Sequence, residues 1–236
     1  MKNKKLLLAI GLSKKEILIG IGLIGLSIGI GFLTGDNWLG MTILALTLIN
    51  GYLASTGRTI NYVFGAAFYI VNAIISYQAG LFGLTTLSIV LFLPMQIIGL
   101  MAWRKKTDEK NEVECRKFTF KNSVMIVAGC VAGSAILGVV LSLIPGQRLA
   151  ILDAMSSSVN ICAMILLALR FREAWWVWIV NGLIDSVIWA INLRAGIDNS
   201  TMMILVMVSF LVLDTYGLIR WSKKGEVYRL KNDGGG

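Results

Sequence analysis

Between Trp175 and Asn192 the chain reads WWVWIVNGLIDSVIWAIN, with four tryptophans, two asparagines and one aspartate in an otherwise apolar run. At about 100° per residue, Trp178, Asn181, Asp185, Trp189 and Asn192 fall within an arc of about 80° on one helix. Indole faces stack on planar rings, while amides and carboxylates take hydroxyl or carboxamide hydrogen bonds. Such a stripe suits a planar heterocycle joined to a sugar. It does not suit metal or covalent chemistry: the chain has no histidine, and Cys115, Cys130 and Cys162 are widely spaced with no CxxC pair. Neither a zinc site nor a disulfide framework is expected, and the cysteines read as packing residues. A serine nucleophile would lack its usual histidine, so no catalytic residue, metal or cofactor is assigned.

Four further stripes share this character. One run places Asp153, Ser157 and Asn160 on one helical face, and another places Gly65, Tyr69, Asn72 and Ser76. Two more offer Phe92, Gln96 and Gly99, and Phe210, Asp214 and Gly217. Asp185 and Asp214 lie mid-segment with no basic residue in the same span. An aspartate at bilayer depth costs roughly 2.5–3.5 kcal/mol on insertion scales, so it persists where it meets a partner or a hydrated cavity. A single asparagine or serine is equally well read as a hydrogen bond between packed helices. Five helices with one polar face each point instead to a shared central site.

The elements that carry these faces are membrane helices. The 236 residues are 56% hydrophobic and only 15% charged, with net charge +9 and mean hydropathy +0.76. A soluble domain would carry about 25% charged residues. Eight apolar segments, at 16–33, 38–55, 60–79, 81–103, 123–144, 150–169, 174–193 and 200–221, approach the roughly 20 residues needed to span a bilayer. With both termini cytoplasmic, all of the 22 basic residues except Arg148 and Arg194 fall on the cytoplasmic side. The positive charge thus follows the positive-inside rule, and no nucleic-acid partner is expected. The N-terminus resembles a signal peptide, but Lys14 and Lys15 precede its longer apolar run and no A-x-A site follows, so a retained helix is expected. Trp38, Trp103, Trp175, Trp176 and Trp221 sit near segment ends, as in an interfacial aromatic belt.

An internal repeat organises the helices. FLPMQIIGLMAWRKK closes the fourth segment and FLVLDTYGLIRWSKK the eighth, matching Phe92 with Phe210, Gln96 with Asp214, Gly99 with Gly217 and Trp103 with Trp221. Leu53-Ala54 before Arg58 mirrors Leu167-Ala168 before Arg172, and Gln78-Ala79-Gly80 mirrors Arg194-Ala195-Gly196. The expected fold is an all-α polytopic membrane protein of eight helices: an extra N-terminal helix, then two parallel triple-helix units joined by a linker helix, as in SWEET carriers. The corresponding boundaries are 1–35 for the extra helix, 36–104 for the first unit and 105–122 for a basic cytoplasmic loop. The linker helix occupies 123–148, the second unit 149–222 and a cytoplasmic tail 223–236. Gly129 and Gly133 on the linker, and Gly25 and Gly29 on the first helix, have GxxxG spacing, compatible with helix packing or a homo-oligomer.

NYVFGAAFYIVNAIISYQAGLFG (61–83), LPMQIIGLMAW (93–103), LDAMSSSVNICAMILLALRFREAWWVWIVN (152–181) and GLIRWSKK (217–224) resemble the PnuC family of bacterial vitamin transporters, which includes nicotinamide riboside carriers. The resemblance implies facilitated diffusion of a vitamin precursor across the bacterial inner membrane, with trapping by a separate cytoplasmic kinase. Its relatives carry nicotinamide riboside, thiamine, riboflavin or deoxynucleosides. Trp175, Trp178, Asn181 and Gln96 resemble the nicotinamide riboside pattern, although Gly182 stands at the end of the W-x-x-W-x-x-x run, where relatives carry an acidic residue. On this reading Trp178 and Trp189 sandwich the base. Asn181, Gln96 and Asn72 bond a carboxamide or ribose hydroxyls, and Asp185 and Asp214 take hydroxyls or face a cationic pyridinium. Tyr69, Phe92, Asn160, Asn192 and Phe210 complete the expected site. An ion-coupled symporter using the same carboxylates is the alternative.

Overall fold

The computed structural model describes residues 12–105, 115–116 and 120–233, which are helix and short turns apart from an isolated bridge between Arg116 and Phe171. We label the helices α1 (Lys14–Thr34), α2 (Trp38–Ser55), α3 (Asn61–Gln78), α4 (Phe82–Arg104), α5 (Phe120–Ser142), α6 (Ala150–Ala168), α7 (Ala174–Arg194) and α8 (Ser200–Asp233). Six of them, α1, α2, α4, α6, α7 and α8, are long and apolar enough to cross a membrane. α3 falls short because asparagines, tyrosines and a glutamine dilute its apolar residues; in α5 the apolar stretch covers Val127–Ser142 among the residues whose side chains are described. α8 continues past the expected end at 221 to Asp233, so the segment read as a tail begins as helix. Residues 1–11, most of the basic 105–122 loop and Gly234–Gly236 lie outside the described residues.

Local chemistry sets the helix ends. Ser13 and Glu16 form a reciprocal capping box on α1, and Asn37 accepts from the Leu39 and Gly40 amides to start α2. α3 and α7 close with the same Schellman hydrogen bonds: Leu81 N–H to Ser76 O at 2.9 Å and Ile197 N–H to Asn192 O at 3.1 Å. Gly80 and Gly196 each take φ +70° there, the left-handed conformation that glycine adopts without a Cβ penalty. Within α4, Pro94 offers no amide and its ring crowds the carbonyl four residues back. The preceding turn, Ser88–Phe92, widens to a π-helix accordingly.

Packing runs in a closed circuit: α2 against α3, α3 against α4, α4 against α6, α6 against α7, α7 against α8, and α8 back against α2. α1 leans on α2 and α5 on α6, both outside this ring. The polarity is inverted relative to a soluble protein. Ile97, Val131, Leu143, Val187 and Val212 are exposed on the outside, whereas Gln96, Asp153, Asn181, Asp185 and Asp214 are buried.

Two sets of contacts staple the ring. At the end where α2, α4, α6 and α8 finish, Trp103 Nε1–H donates to Leu167 O at 3.0 Å, and Trp221 Nε1–H donates to Ser55 O at 3.1 Å. The two indoles meet at 5.7 Å between centroids. Tyr62 packs edge-on to Trp103 at 5.0 Å, and Trp175 packs edge-on to Trp221 at 5.5 Å. Trp38 and Trp176 are exposed as a belt requires, but Trp103, Trp175 and Trp221 are fully buried. That corrects their assignment to the membrane interface: ends of helices that converge on one another are interior. At the opposite end, the first turn of α4 has no cap of its own. Asp153 of α6 supplies one, accepting from the Gly83 and Leu84 amides at 2.9 Å each. A carboxylate on those amides satisfies orphan donors and faces the positive end of the helix dipole. Asp153 is therefore committed to structure.

Candidate functional site

The ring encloses a cavity with about 910 Å³ of atom-free space, counting its open mouth. All six ring helices contribute to its wall, and α1 and α5 do not. Of the expected residues, Trp178, Asn181, Asp185 and Trp189 of α7 line it, as do Tyr69 and Asn72 of α3. Gln96 of α4, Asn160 of α6, and Phe210 and Asp214 of α8 complete that set. Five stripes on five helices thus converge on one space.

Two expected residues do not reach it. Phe92 is fully buried behind Tyr69, with ring centroids 5.0 Å apart, and backs the wall. Asn192 lies in the last turn of α7, beyond the cavity, where it is fully buried and its backbone carbonyl closes the Schellman turn. Helical phase correctly put both on the inward face, but it carries no information on depth along the axis.

The carboxylates differ in their surroundings. Asp185 accepts a hydrogen bond from the Ser156 hydroxyl and another, at 2.8 Å, from Asn181 Nδ2. The Asn181 amide is thereby oriented, and its Oδ1 is left buried without a partner among the described residues. Asp214 is buried on the adjacent wall, formed by α8, and takes no hydrogen bond among the described residues. Among the described residues no lysine or arginine lines the cavity. Gln96 is held by Nε2–H to Phe92 O at 3.1 Å, and Asn72 Nδ2 donates to Ser88 Oγ at 3.2 Å, tying the cavity wall to the π-turn.

Residues that the stripes did not reveal add to the polar lining. Asn50 of α2, Asn61 and Tyr62 of α3, and Trp175 of α7 all face the cavity. Asn50 Oδ1, Tyr62 Oη, Asn160 Oδ1, Trp175 Nε1 and Asn181 Oδ1 are buried with no hydrogen-bond partner among the described residues. Each unsatisfied group costs roughly 1–3 kcal/mol, so five around one space mark a surface made for a polar ligand. A signal for Asn50 was available: it is the single side-chain amide of α2, beside Gly51. For Trp175 the family resemblance was the signal, whereas its place at the start of a membrane helix reads as an interfacial anchor.

Glycines bring the walls together. A Cβ on Gly99 would lie 2.2 Å from the Tyr62 ring, and one on Gly217 would lie 2.6 Å from the Trp175 indole. These equivalent glycines let equivalent aromatics close the same end of the cavity. Apolar residues fill the remaining wall, among them Phe68 edge-on to Phe210 at 5.5 Å, with Met164, Met203 and Met207. The arrangement can stack and hydrogen-bond a flat polar molecule, and its acidic lining groups are Asp185 and Asp214.

Comparison with known proteins gives a consistent picture. A family model described as the nicotinamide mononucleotide transporter matches residues 37–223. The chain is 30% identical over 193 residues to the nicotinamide riboside transporter PnuC of Neisseria mucosa, covering 80% of this chain and 73% of that protein. It is 24% identical over 193 residues to the protein of the same name from Haemophilus influenzae, covering 80% and 81%. A solved structure titled as that of the vitamin B3 transporter PnuC superposes with a TM-score of 0.78 at 26% identity, covering 91% of this chain and 93% of the other.

Proposed function

Because the chain belongs to the nicotinamide mononucleotide transporter family, a family of membrane transporters, we propose that it takes up nicotinamide riboside by facilitated diffusion through the ring cavity. The names of the family and of its relatives differ by one phosphate, and the cavity favours the riboside. A phosphate calls for arginine, lysine or a helix N-terminus. Here the wall carries Asp185 and Asp214 and, among the described residues, no basic side chain. That observation carries the reading: a phosphate dianion is repelled, whereas the pyridinium cation of the riboside is attracted. Trp178 and Trp189 stack the pyridinium, while Gln96, Asn72, Asn160 and Asn181 bond the carboxamide and ribose. Tyr69 and Phe210 extend the aromatic wall.

The fold supports a two-unit mechanism. In this reading α2–α4 and α6–α8 are the repeated units, α5 links them, α1 stands apart, and all eight helices cross the bacterial inner membrane with both termini cytoplasmic. Supporting it are the paired Schellman turns at Gly80 and Gly196, the matched Tyr62–Gly99 and Trp175–Gly217 contacts, and the reciprocal tryptophan hydrogen bonds. The units rock about the cavity, and a separate cytoplasmic kinase traps the product.

Isothermal titration of the purified protein with nicotinamide riboside, its 5′-phosphate, thiamine and riboflavin tests the assignment. The riboside alone is expected to bind tightly. Equal or tighter binding of the phosphate would overturn the charge argument, and preference for another vitamin would reassign the substrate.

A further inference from the structure

Outside the ring, where α5 packs along α6, Cys130 and Cys162 bring their sulfur atoms to 2.8 Å. Small residues make this approach close: a Cβ on Gly133 would lie 3.1 Å from Ser158 Oγ, and Cys130 Sγ lies 3.9 Å from Ser158 O. Two thiol sulfurs at this separation are only about 0.8 Å from the roughly 2.05 Å of a disulfide bond. Both residues are half-buried, on helices whose outer faces are apolar, so a lipid-soluble reagent can reach them. Read as a sequence, two cysteines 32 residues apart gave no framework. The helix pairing supplies one.

We propose that Cys130 and Cys162 are a redox modification site, closed to a disulfide by a membrane-soluble quinone. The two S–H bonds break, one S–S bond forms, and the two protons and two electrons pass to the quinone, which leaves as the quinol. The bond ties α5 to α6 at a position two residues from Asn160 and Met164, both in the cavity wall. The oxidised protein therefore keeps its cavity but loses freedom of α6 against α5. On the transport reading above, substrate still binds and turnover slows. The modification itself does not depend on that reading.

The test treats the full-length protein in nanodiscs with a short-chain ubiquinone, then denatures and alkylates it. Wild type is expected to lose about 2 Da and to label at one cysteine, Cys115, instead of three, with full labelling restored by a phosphine reductant. Cys130→Ser is expected to keep both remaining thiols labelled. Retention of three labelled thiols in oxidised wild type, or an unchanged mass loss in Cys130→Ser, overturns the site. In proteoliposomes, riboside uptake is expected to fall at least several-fold on oxidation in wild type and not in Cys130→Ser. Equal uptake by oxidised and reduced wild type overturns the link to transport. Absence of uptake by the reduced protein would refute the substrate assignment and leave the disulfide result standing.

Discussion

Asp214→Asn isolates the charge of the cavity. The substitution keeps shape and volume, and Asp214 takes no hydrogen bond among the described residues that an amide would disrupt. What changes is one negative charge on the wall. A cation seated beside the Asp214 wall is taken to lie about 6 Å from the carboxylate, one side chain away. At an effective dielectric of about 20, two unit charges about 6 Å apart interact by about 2.8 kcal/mol; at bulk-water screening the figure is about 0.7 kcal/mol. The dissociation constant for nicotinamide riboside is therefore expected to rise between about 3-fold and 100-fold, and nearer the upper end because the site is buried. Titration calorimetry with the cation and with its neutral dihydropyridine analogue separates charge from contact. The analogue should bind wild type and Asp214→Asn within about 2-fold of each other, since a neutral ring feels no net Coulomb attraction. Equal losses for cation and analogue, or no loss for either, would refute the counter-ion role.

Three other outcomes follow from the geometry. Gly217→Ala puts a methyl 2.6 Å from an indole that Trp221 backs at 5.5 Å, so Trp175 is pushed toward the cavity. Overpacking of about 1–3 kcal/mol predicts about 5- to 150-fold weaker riboside binding by calorimetry. Gly129→Ala, with nothing within 4 Å of the new Cβ, should leave binding unchanged. Asp153→Ala strands the buried Gly83 and Leu84 amides, which at about 1–3 kcal/mol each should lower the melting temperature by roughly 4–24 °C while the riboside affinity of the folded protein is kept. Finally, uniport of a monocation obeys the membrane potential. A 100 mV inside-negative potassium–valinomycin potential is worth about 2.3 kcal/mol and should drive about 50-fold accumulation in proteoliposomes. Accumulation that instead requires an imposed sodium or proton gradient would establish a coupled symporter.

Much of this site could be seen in the amino-acid sequence because membrane helices make polarity costly. Trp178, Asn181, Asp185 and Trp189 share a face, and so do Gln96 with Gly99 and Asp214 with Gly217. A lipid-facing segment would not keep such groups. Repetition of Phe-x3-polar-x2-Gly then linked α4 to α8. Depth was not legible. Asn192 and Phe92 satisfy the angular rule yet lie past or behind the cavity. Trp175 and Trp103 satisfy the interfacial rule yet are buried, because the ends of α4, α7 and α8 lean together and no single helix records that convergence. Asp153 shared a stripe with Asn160, but a neighbouring helix start claimed it, and only the pairing of α4 with α6 reveals that competition.

Closure of the ring by α8 against α2 has a consequence for biogenesis. The Trp221–Ser55 hydrogen bond joins residues 166 positions apart, so the circuit stays open until α8 has been made. Before then Asn50, Asn61 and Asp185 have no far wall, and a nascent chain lodged in the bilayer presents them to lipid or to the insertion machinery. Closure of the ring is therefore expected to wait for α8. A chain truncated before α8 is expected to be a substrate for membrane quality control, since a ring lacking one of its six helices would leave its polar lining where water cannot reach it.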